Sequence, residues 1–333
     1  MRIGILSFAH LHAEGYVQNL RRISGVEVIG FSDTDPERGR RISQSFGLRW
    51  FWTHEGLLAE APDAVIVTSE NAHHREHVAM AAAAGADVLC EKPVAATVAD
   101  ALAMQEAVER SGVRFMTAFP MRFSPAVQAL RDMVRSGELG RVLAVVGVNH
   151  SENPKRHRAW FAQKALAGGG ATLDHTVHLA DLYRWIFETE VGEVAAEVAN
   201  PFDPEVNVDT AGLLLLRLEN GIPASIDASW SRPNHYPRWG HVKMEVVGER
   251  GTAILDAFAG HLHVWRKGAG RDYEWLGYHS DPAQGMMEAF VRSVRDQSEP
   301  PVTWRDGFEA MRVALAAYRA AEAGVPVDPR SLV

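Results

Sequence analysis

The sequence predicts two domains of different class. Residues 1–120 read as an α/β domain on a parallel sheet, and residues 121–333 as an α+β domain with a large, mostly antiparallel open sheet. Three observations carry this. Up to Phe119, short apolar runs alternate with amphipathic segments, the grammar of repeated strand–helix–strand units. From Glu193 onward strands follow one another directly, with hairpin signals at Asn220-Gly221 and Gly248–Gly251. The run Val88-Leu89-Cys90, entered from Gly85 and closed by Pro93, has the look of a buried parallel strand.

Taken in order, strands are expected at Ile3–Leu6, Val26–Phe31, Ala64–Val67, Val88–Cys90 and Arg114–Ala118. Helices are expected between them at His12–Arg22, Pro36–Phe46, His73–Ala84 and Thr97–Arg110; Pro36 suits a first helical turn and Gly85 a helix end. The second domain opens with a helix, Pro125–Ser136, and a strand, Val142–Asn149. Gly168-Gly169-Gly170 then precedes a helix from Leu173 to Phe187. Six strands follow, at Glu193–Ala199, Thr210–Leu218, Ile222–Trp230, His241–Val247, Thr252–Asp256 and His261–Trp265, and two helices close the chain, Gly285–Gln297 and Arg305–Ala323. The last is expected to pack back on the first domain.

With 47% hydrophobic and 23% charged residues the composition is that of a soluble globular protein. The formal net charge of −8 and the lack of a basic run argue against nucleic acid or an anionic membrane as partner. No apolar run approaches the ~20 residues of a membrane-spanning helix. The start reads as a strand and not as a signal peptide, and one cysteine, Cys90, leaves no intrachain disulfide, so the cytoplasm is the default compartment. Leu213–Leu216 is apolar on both faces of its strand, which points to a homodimer or homotetramer.

Ligands sit at the carboxyl ends of strands in open α/β sheets. Glu91-Lys92-Pro93 lies at such an end, so Lys92 is delivered to a crevice, with the Lys92–Pro93 bond a candidate for cis geometry; the competing reading is an exposed pair opening a turn. The first strand-to-helix turn offers Ser7-x-Ala9-x-x-His12 where a dinucleotide fold has G-x-G-x-x-G, and His12 must either push the helix away or point at the ligand. Asp33 ends the second strand, placed to accept from an adenosine ribose, which favours NAD over NADP; the alternative is a turn in which Asp35 caps the next helix. Asn71 is an N-cap, a cofactor contact, or both. In the helix after the glycines, Asp174 and His178 stand i, i+4 on one face, the spacing for a carboxylate that sets the state of a proton-transferring imidazole.

Together, Glu91-Lys92-Pro93 and Gly-Gly-Gly…Asp174-x-x-x-His178 resemble the Gfo/Idh/MocA oxidoreductases, a family that includes glucose–fructose oxidoreductase and inositol 2-dehydrogenase. Asn71-x-x-His74-x-Glu76, Arg122-Phe123-Ser124-Pro125-Ala126, Ser136–Gly140, Trp230, Gly248–Gly251 and Asp306-Gly307 extend the likeness over nearly the whole length. The resemblance implies a Rossmann domain binding NAD, less favourably NADP, and reversible hydride transfer at a sugar, cyclitol or polyol carbinol. It implies catalytic roles for Lys92, Asp174 and His178, with His178 as acid/base. Cofactor contacts are expected from Ser7, Phe8, Ala9, His10, His12, Asp33, Ser69, Asn71, His74, Glu91, Lys92 and Arg122. His150, Trp160 and His175 are expected in the substrate pocket, and the stretches His150–Phe161 and Trp230–Trp239 to line or cover it. Two rivals remain open. A metal enzyme could draw Asp174, His175 and His178 together with His10, His12, His150 or His157. A non-catalytic sensor could bind a sugar or NAD on the same fold.

Overall fold

The structure, a computed structural model, describes residues 1–238, 240–267 and 272–332. In its first half, strands β1 (Arg2–Leu6), β2 (Glu27–Ser32), β3 (Trp50–Phe51), β4 (Ala64–Val67), β5 (Asp87–Cys90) and β6 (Phe115–Thr117) form one parallel sheet in the order β3-β2-β1-β4-β5-β6. Helices α1 (His12–Arg21), α2 (Pro36–Phe46), α3 (His54–Leu58), α4 (His74–Ala83) and α5 (Val98–Ser111) connect them. Every residue of β4 and β5 is buried, as expected of strands covered on both faces. Asp35 does cap α2, accepting from the N–H groups of Glu37 and Arg38. The sequence reading passed over β3 and α3. Two residues are too few to show alternation, and α3 is a single turn started by the Thr53 hydroxyl.

After α6 (Pro125–Arg135), strand β7 (Val142–Ser151), the short helix α7 (Lys164–Ala167) and the long helix α8 (Ala171–Phe187) lead into β8 (Val191–Ala199), β9 (Ala211–Leu218), β10 (Pro223–Ser229), β11 (Gly240–Gly248), β12 (Gly251–Asp256), β13 (His261–Arg266) and β14 (Tyr273–Gly277). The sheet runs β14-β13-β12-β11-β7-β10-β9-β8, antiparallel except where β7 meets β10. Strand β14, an edge strand with no residue fully buried, was not expected. Helix α8 packs on one face of this sheet, where the Tyr183 hydroxyl donates to the Ser225 carbonyl at 2.8 Å. On the other face Leu143, Val146, Leu213 and Leu215 stay 40–64% exposed.

Two closing helices, α9 (Pro282–Asp296) and α10 (Trp304–Ala323), return to the first sheet. Asn19 of α1 donates to Asp281 at 3.0 Å, and the Thr117 hydroxyl of β6 to the Thr303 carbonyl at 2.9 Å. The carboxyl ends of the parallel strands therefore face the amino end of α8 across a cleft.

Candidate active site

Strand β5 carries Lys92 to that cleft. Glu91 is 0% and Lys92 4% exposed, so the pair does not open a solvated turn. The Lys92–Pro93 bond is cis. His74, fully buried, points Nδ1 at the Pro93 carbonyl from 3.0 Å, so it holds the backbone of this loop. Lys92 Nζ donates to Asp174 Oδ1 at 2.5 Å and to the Asp174 carbonyl at 3.2 Å.

Asp174 is placed by how α8 begins. A Cβ on Gly170 would stand 1.8 Å from the Asp209 carbonyl oxygen, and one on Gly169 would stand 2.3 Å from the Tyr318 hydroxyl. The glycines let this backbone press against both groups. Asp209 then accepts from the N–H of Gly170 at 2.8 Å and of Thr172 at 2.7 Å, while the Tyr318 hydroxyl accepts from Gly170 and Leu173 and donates to Asp209. These groups satisfy the otherwise unpaired donors of the first helical turn. The sequence reading found neither, since both are remote in the chain.

Asp174 Oδ2 accepts from the Trp230 indole at 3.3 Å and lies 3.3 Å from His175 Nε2. Burial would raise the Asp174 carboxyl, but the Lys92 ammonium, with help from His175, takes it well below the usual carboxylate range. His178, one turn on, lies edge-on to Phe119, and its Nδ1 has no protein partner. Burial, then Lys92, push the His178 imidazole well below its ordinary value, so it is neutral at pH 7. His175 sets Nδ1 against the Asn149 carbonyl at 2.9 Å and Nε2 against Ser151 Oγ at 3.2 Å; burial takes it down to about 4. Lys92, Asp174, His175, His178, His10 and His12 border one cavity, closed opposite by apolar side chains that include Met121, Phe161, Val242 and Phe258.

In the first turn Ser7 takes the left-handed φ of +68° that glycine usually fills, and its hydroxyl accepts from Ala9 N. His12 does not push its helix away; it points into the cavity and onto Glu91 at 2.9 Å. Asp33 is fully buried. Phe8 N and Asp35 N donate to it, and the Arg38 guanidinium grips both of its oxygens at 2.7 and 2.9 Å. Thr34 and Asp35 follow Asp33 directly, but Arg38, in the first turn of α2, reaches back to it. Any ribose contact at Asp33 is shared with that guanidinium. Among buried polar atoms without a protein partner, His10 Nε2, Ser69 Oγ and Asn71 Oδ1 lie at the carboxyl ends of β1 and β4. Such orphans are costly unless a ligand pairs them, and the hydroxyls and amide of a dinucleotide are groups that could. These residues fit the cofactor that such a sheet edge implies.

Four residues stand otherwise than expected. Arg122 is paired with protein carboxylates. It is 5% exposed, and its guanidinium is bonded to Asp181 at 2.5 and 2.8 Å and to Asp306 at 2.8 Å. His150 does not border the cavity; Asn149 and Ser151 do, and by strand alternation His150 turns to the opposite face, 2.9 Å from Asp227. Trp160 stands behind the cavity, its indole donating to the Ala9 carbonyl at 3.0 Å, and its neighbour Phe161 takes the lining position. Asn71 does not cap a helix; its amide donates to the Ala167 carbonyl at 2.8 Å. Of the Trp230–Trp239 loop, Trp239 lies outside the described residues.

For a metal, the set Asp174, His175 and His178 does not converge. Among the described residues His10, His12 and Glu91 bring ligand atoms within 4.8 Å of one another. The nitrogens and oxygen that approach one another are engaged within the protein: His10 Nδ1 accepts from His12 N at 3.2 Å, and Glu91 Oε1 accepts from His12 Nδ1 and from the Tyr16 hydroxyl.

A parallel sheet whose carboxyl edge meets a Lys–Asp–His cavity defines a dinucleotide-dependent oxidoreductase. The chain belongs to the GFO/IDH/MocA oxidoreductase family. Residues 2–119 match its NAD-binding Rossmann-fold domain and residues 127–254 a GFO/IDH/MocA C-terminal domain. An inositol 2-dehydrogenase of Acidothermus cellulolyticus is 30% identical, over 97% of this chain and 92% of that one. A D-apiose dehydrogenase of Paraburkholderia graminis is 29% identical, over 99% and 88%. An Agrobacterium radiobacter oxidoreductase, solved with NAD+, L-tartaric acid and magnesium, shares the fold at a TM-score of 0.88 and 19% identity, covering 100% of this chain and 99% of that one.

Proposed function

We propose that this protein transfers a hydride between NAD and a carbinol carbon of a small sugar, cyclitol or related polyol. The observation that carries the reading is the meeting of Lys92, Asp174 and neutral His178 in one cavity at the carboxyl edge of the NAD-binding sheet. NAD supplies the hydride acceptor or donor. Asp174 holds the Lys92 ammonium in place, and that charge stabilises alkoxide character at the reacting oxygen. His178 takes the hydroxyl proton as the carbinol is oxidised and returns it on reduction. His175, Asn149 and Ser151 supply polar contacts to a polyhydroxylated substrate, and Phe161 and Phe258 cover apolar ring faces.

The domain boundary belongs near residue 120. The exposed leucines of the open sheet face support a homodimer or homotetramer, and a cytoplasmic location suits this chemistry. Thermal-shift screening with NAD, NADP and a panel including myo-inositol and D-apiose tests the reading, because a ligand of the native state raises the melting temperature by mass action. NAD with one of the polyols should shift the melt and yield NADH. A panel-wide failure with both cofactors refutes it.

A further inference from the structure

We propose that His12, backed by Glu91, is a second proton-carrying group of this pocket, passing to bulk water the proton that His178 takes from the substrate. The inference rests on the hydride-transfer reading above. Oxidation of a carbinol leaves one proton on His178 in each turnover, and it must leave before the next. His178 Nδ1 has no protein partner through which to pass it on.

The other groups bordering the cavity are poor carriers. Lys92 and Asp174 are locked as an ion pair at 2.5 Å. His175 is held through both nitrogens, by the Asn149 carbonyl and by Ser151 and Asp174. His10 is 1% exposed and accepts from His12 N through Nδ1, and burial keeps it neutral.

His12 differs on each count. Its side chain is 31% exposed, against 5% for Lys92 and 15% for Asp174. Its Nδ1 lies 2.9 Å from Glu91 Oε1, so Nδ1 carries the proton and Nε2 is left as a base. Glu91 is fully buried, which alone would raise its carboxyl. His10, His12 and Lys92 take it well below the usual range instead, and the Tyr16 hydroxyl and Lys92 N also donate to it. A buried carboxylate behind an imidazole fixes its tautomer and its orientation. Charged or titratable neighbours of His12 are Glu91, Tyr16, His10 and, across the cavity, Lys92 and His178. The proton moves from substrate oxygen to His178, across the cavity to His12 Nε2, and out to water; the proton on Nδ1 stays with Glu91. This also gives a use to a side chain that stands where a dinucleotide turn ordinarily has glycine.

The test uses His12→Asn, whose amide nitrogen can still donate to Glu91 while Nε2 is gone. Turnover of NAD with myo-inositol, D-apiose and levoglucosan as probes is measured in dilute buffer and again with added imidazole, beside Lys92→Met. His12→Asn should lose about tenfold or more in kcat in dilute buffer, a smaller loss than the ~10²–10⁴-fold of the group that takes the proton from the substrate, and imidazole should restore it without changing KM. Long-range 1H–15N spectra of the cofactor-free protein should show neutral His12 with its proton on Nδ1. Full activity of His12→Asn in dilute buffer, a loss that imidazole does not rescue, or a proton on Nε2 overturns the relay and leaves the hydride-transfer reading standing if Lys92→Met loses about 10²-fold or more in kcat. Failure of the wild type on every probe overturns both. Tight uptake of Zn2+ at His12 in calorimetry, abolished by His12→Asn, overturns it in favour of a metal site.

Discussion

Arg122 offers a sharp decision between a structural and a cofactor role, because Arg122→Met removes the charge and keeps most of the bulk. The guanidinium makes three bonds to carboxylates, two to Asp181 and one to Asp306, with Arg122 side-chain exposure of 6% and Asp181 of 1%. Removing one partner of a buried ion pair costs about 3–5 kcal/mol, since the remaining charge is left unpaired. Burial already raises the Asp181 carboxyl with Arg122 in place, so without it Asp181 takes up a proton and the loss falls near the lower end, about 3 kcal/mol. At roughly 2 °C per kcal/mol for a chain of this size, the melting temperature should fall by about 6 °C. Urea melts should show a lower midpoint at unchanged slope. Calorimetry on the folded variant should give an NAD affinity within about threefold of wild type, a difference below about 1 kcal/mol. An unchanged melt with a tenfold loss of NAD affinity would refute the argument and return Arg122 to the cofactor.

Gly170→Ala sets a methyl 1.8 Å from the Asp209 carbonyl, so the first turn of α8 must move; we expect kcat lower by about 10²-fold, the scale of misplacing catalytic groups by about 1 Å, with Gly15→Ala as a control in open space. Acid should destabilise the fold through His175, whose value drops from 6.5 to about 4 on folding. As pH falls through that window the unfolded chain binds the proton first, so up to about 3 kcal/mol present above pH 6.5 is lost by pH 4, and pH-dependent urea melts of His175→Asn should lack this component. Leu215→Glu on the exposed sheet face should yield monomers in light scattering; a wild type already monomeric at micromolar concentration removes the oligomer argument.

What the sequence made legible were features set by short-range pattern. Lys92 could be placed because a buried run between Gly85 and Pro93 marks a parallel strand and its end. Asp174 and His178 could be paired because i, i+4 fixes a common helix face. The misreadings concern partners far away in the chain. Arg122 meets Asp181 and Asp306 across 59 and 184 residues, and no local pattern announces that pairing. His150 was assigned from its polarity, whereas its face is set by the register of β7, which continues through Ser151, two residues beyond the expected end at Asn149. Asp209 and Tyr318 cap α8 from distant segments, so the glycine run was noticed without its cause. Arg38 is not announced by the residues directly after Asp33, because a helix brings a residue several places on back to the same point.

The most direct test of the central claim is a double-mutant cycle on Lys92 and His178 with NAD and the polyol found by screening. If both act on one transition state their losses do not add. Lys92→Met should lower kcat by about 10²-fold or more and His178→Ala by about 10²–10⁴-fold, with NAD binding by His178→Ala retained. The double variant should be little slower than the slower single. Full turnover by His178→Ala, or losses that multiply across the pair, would contradict the account.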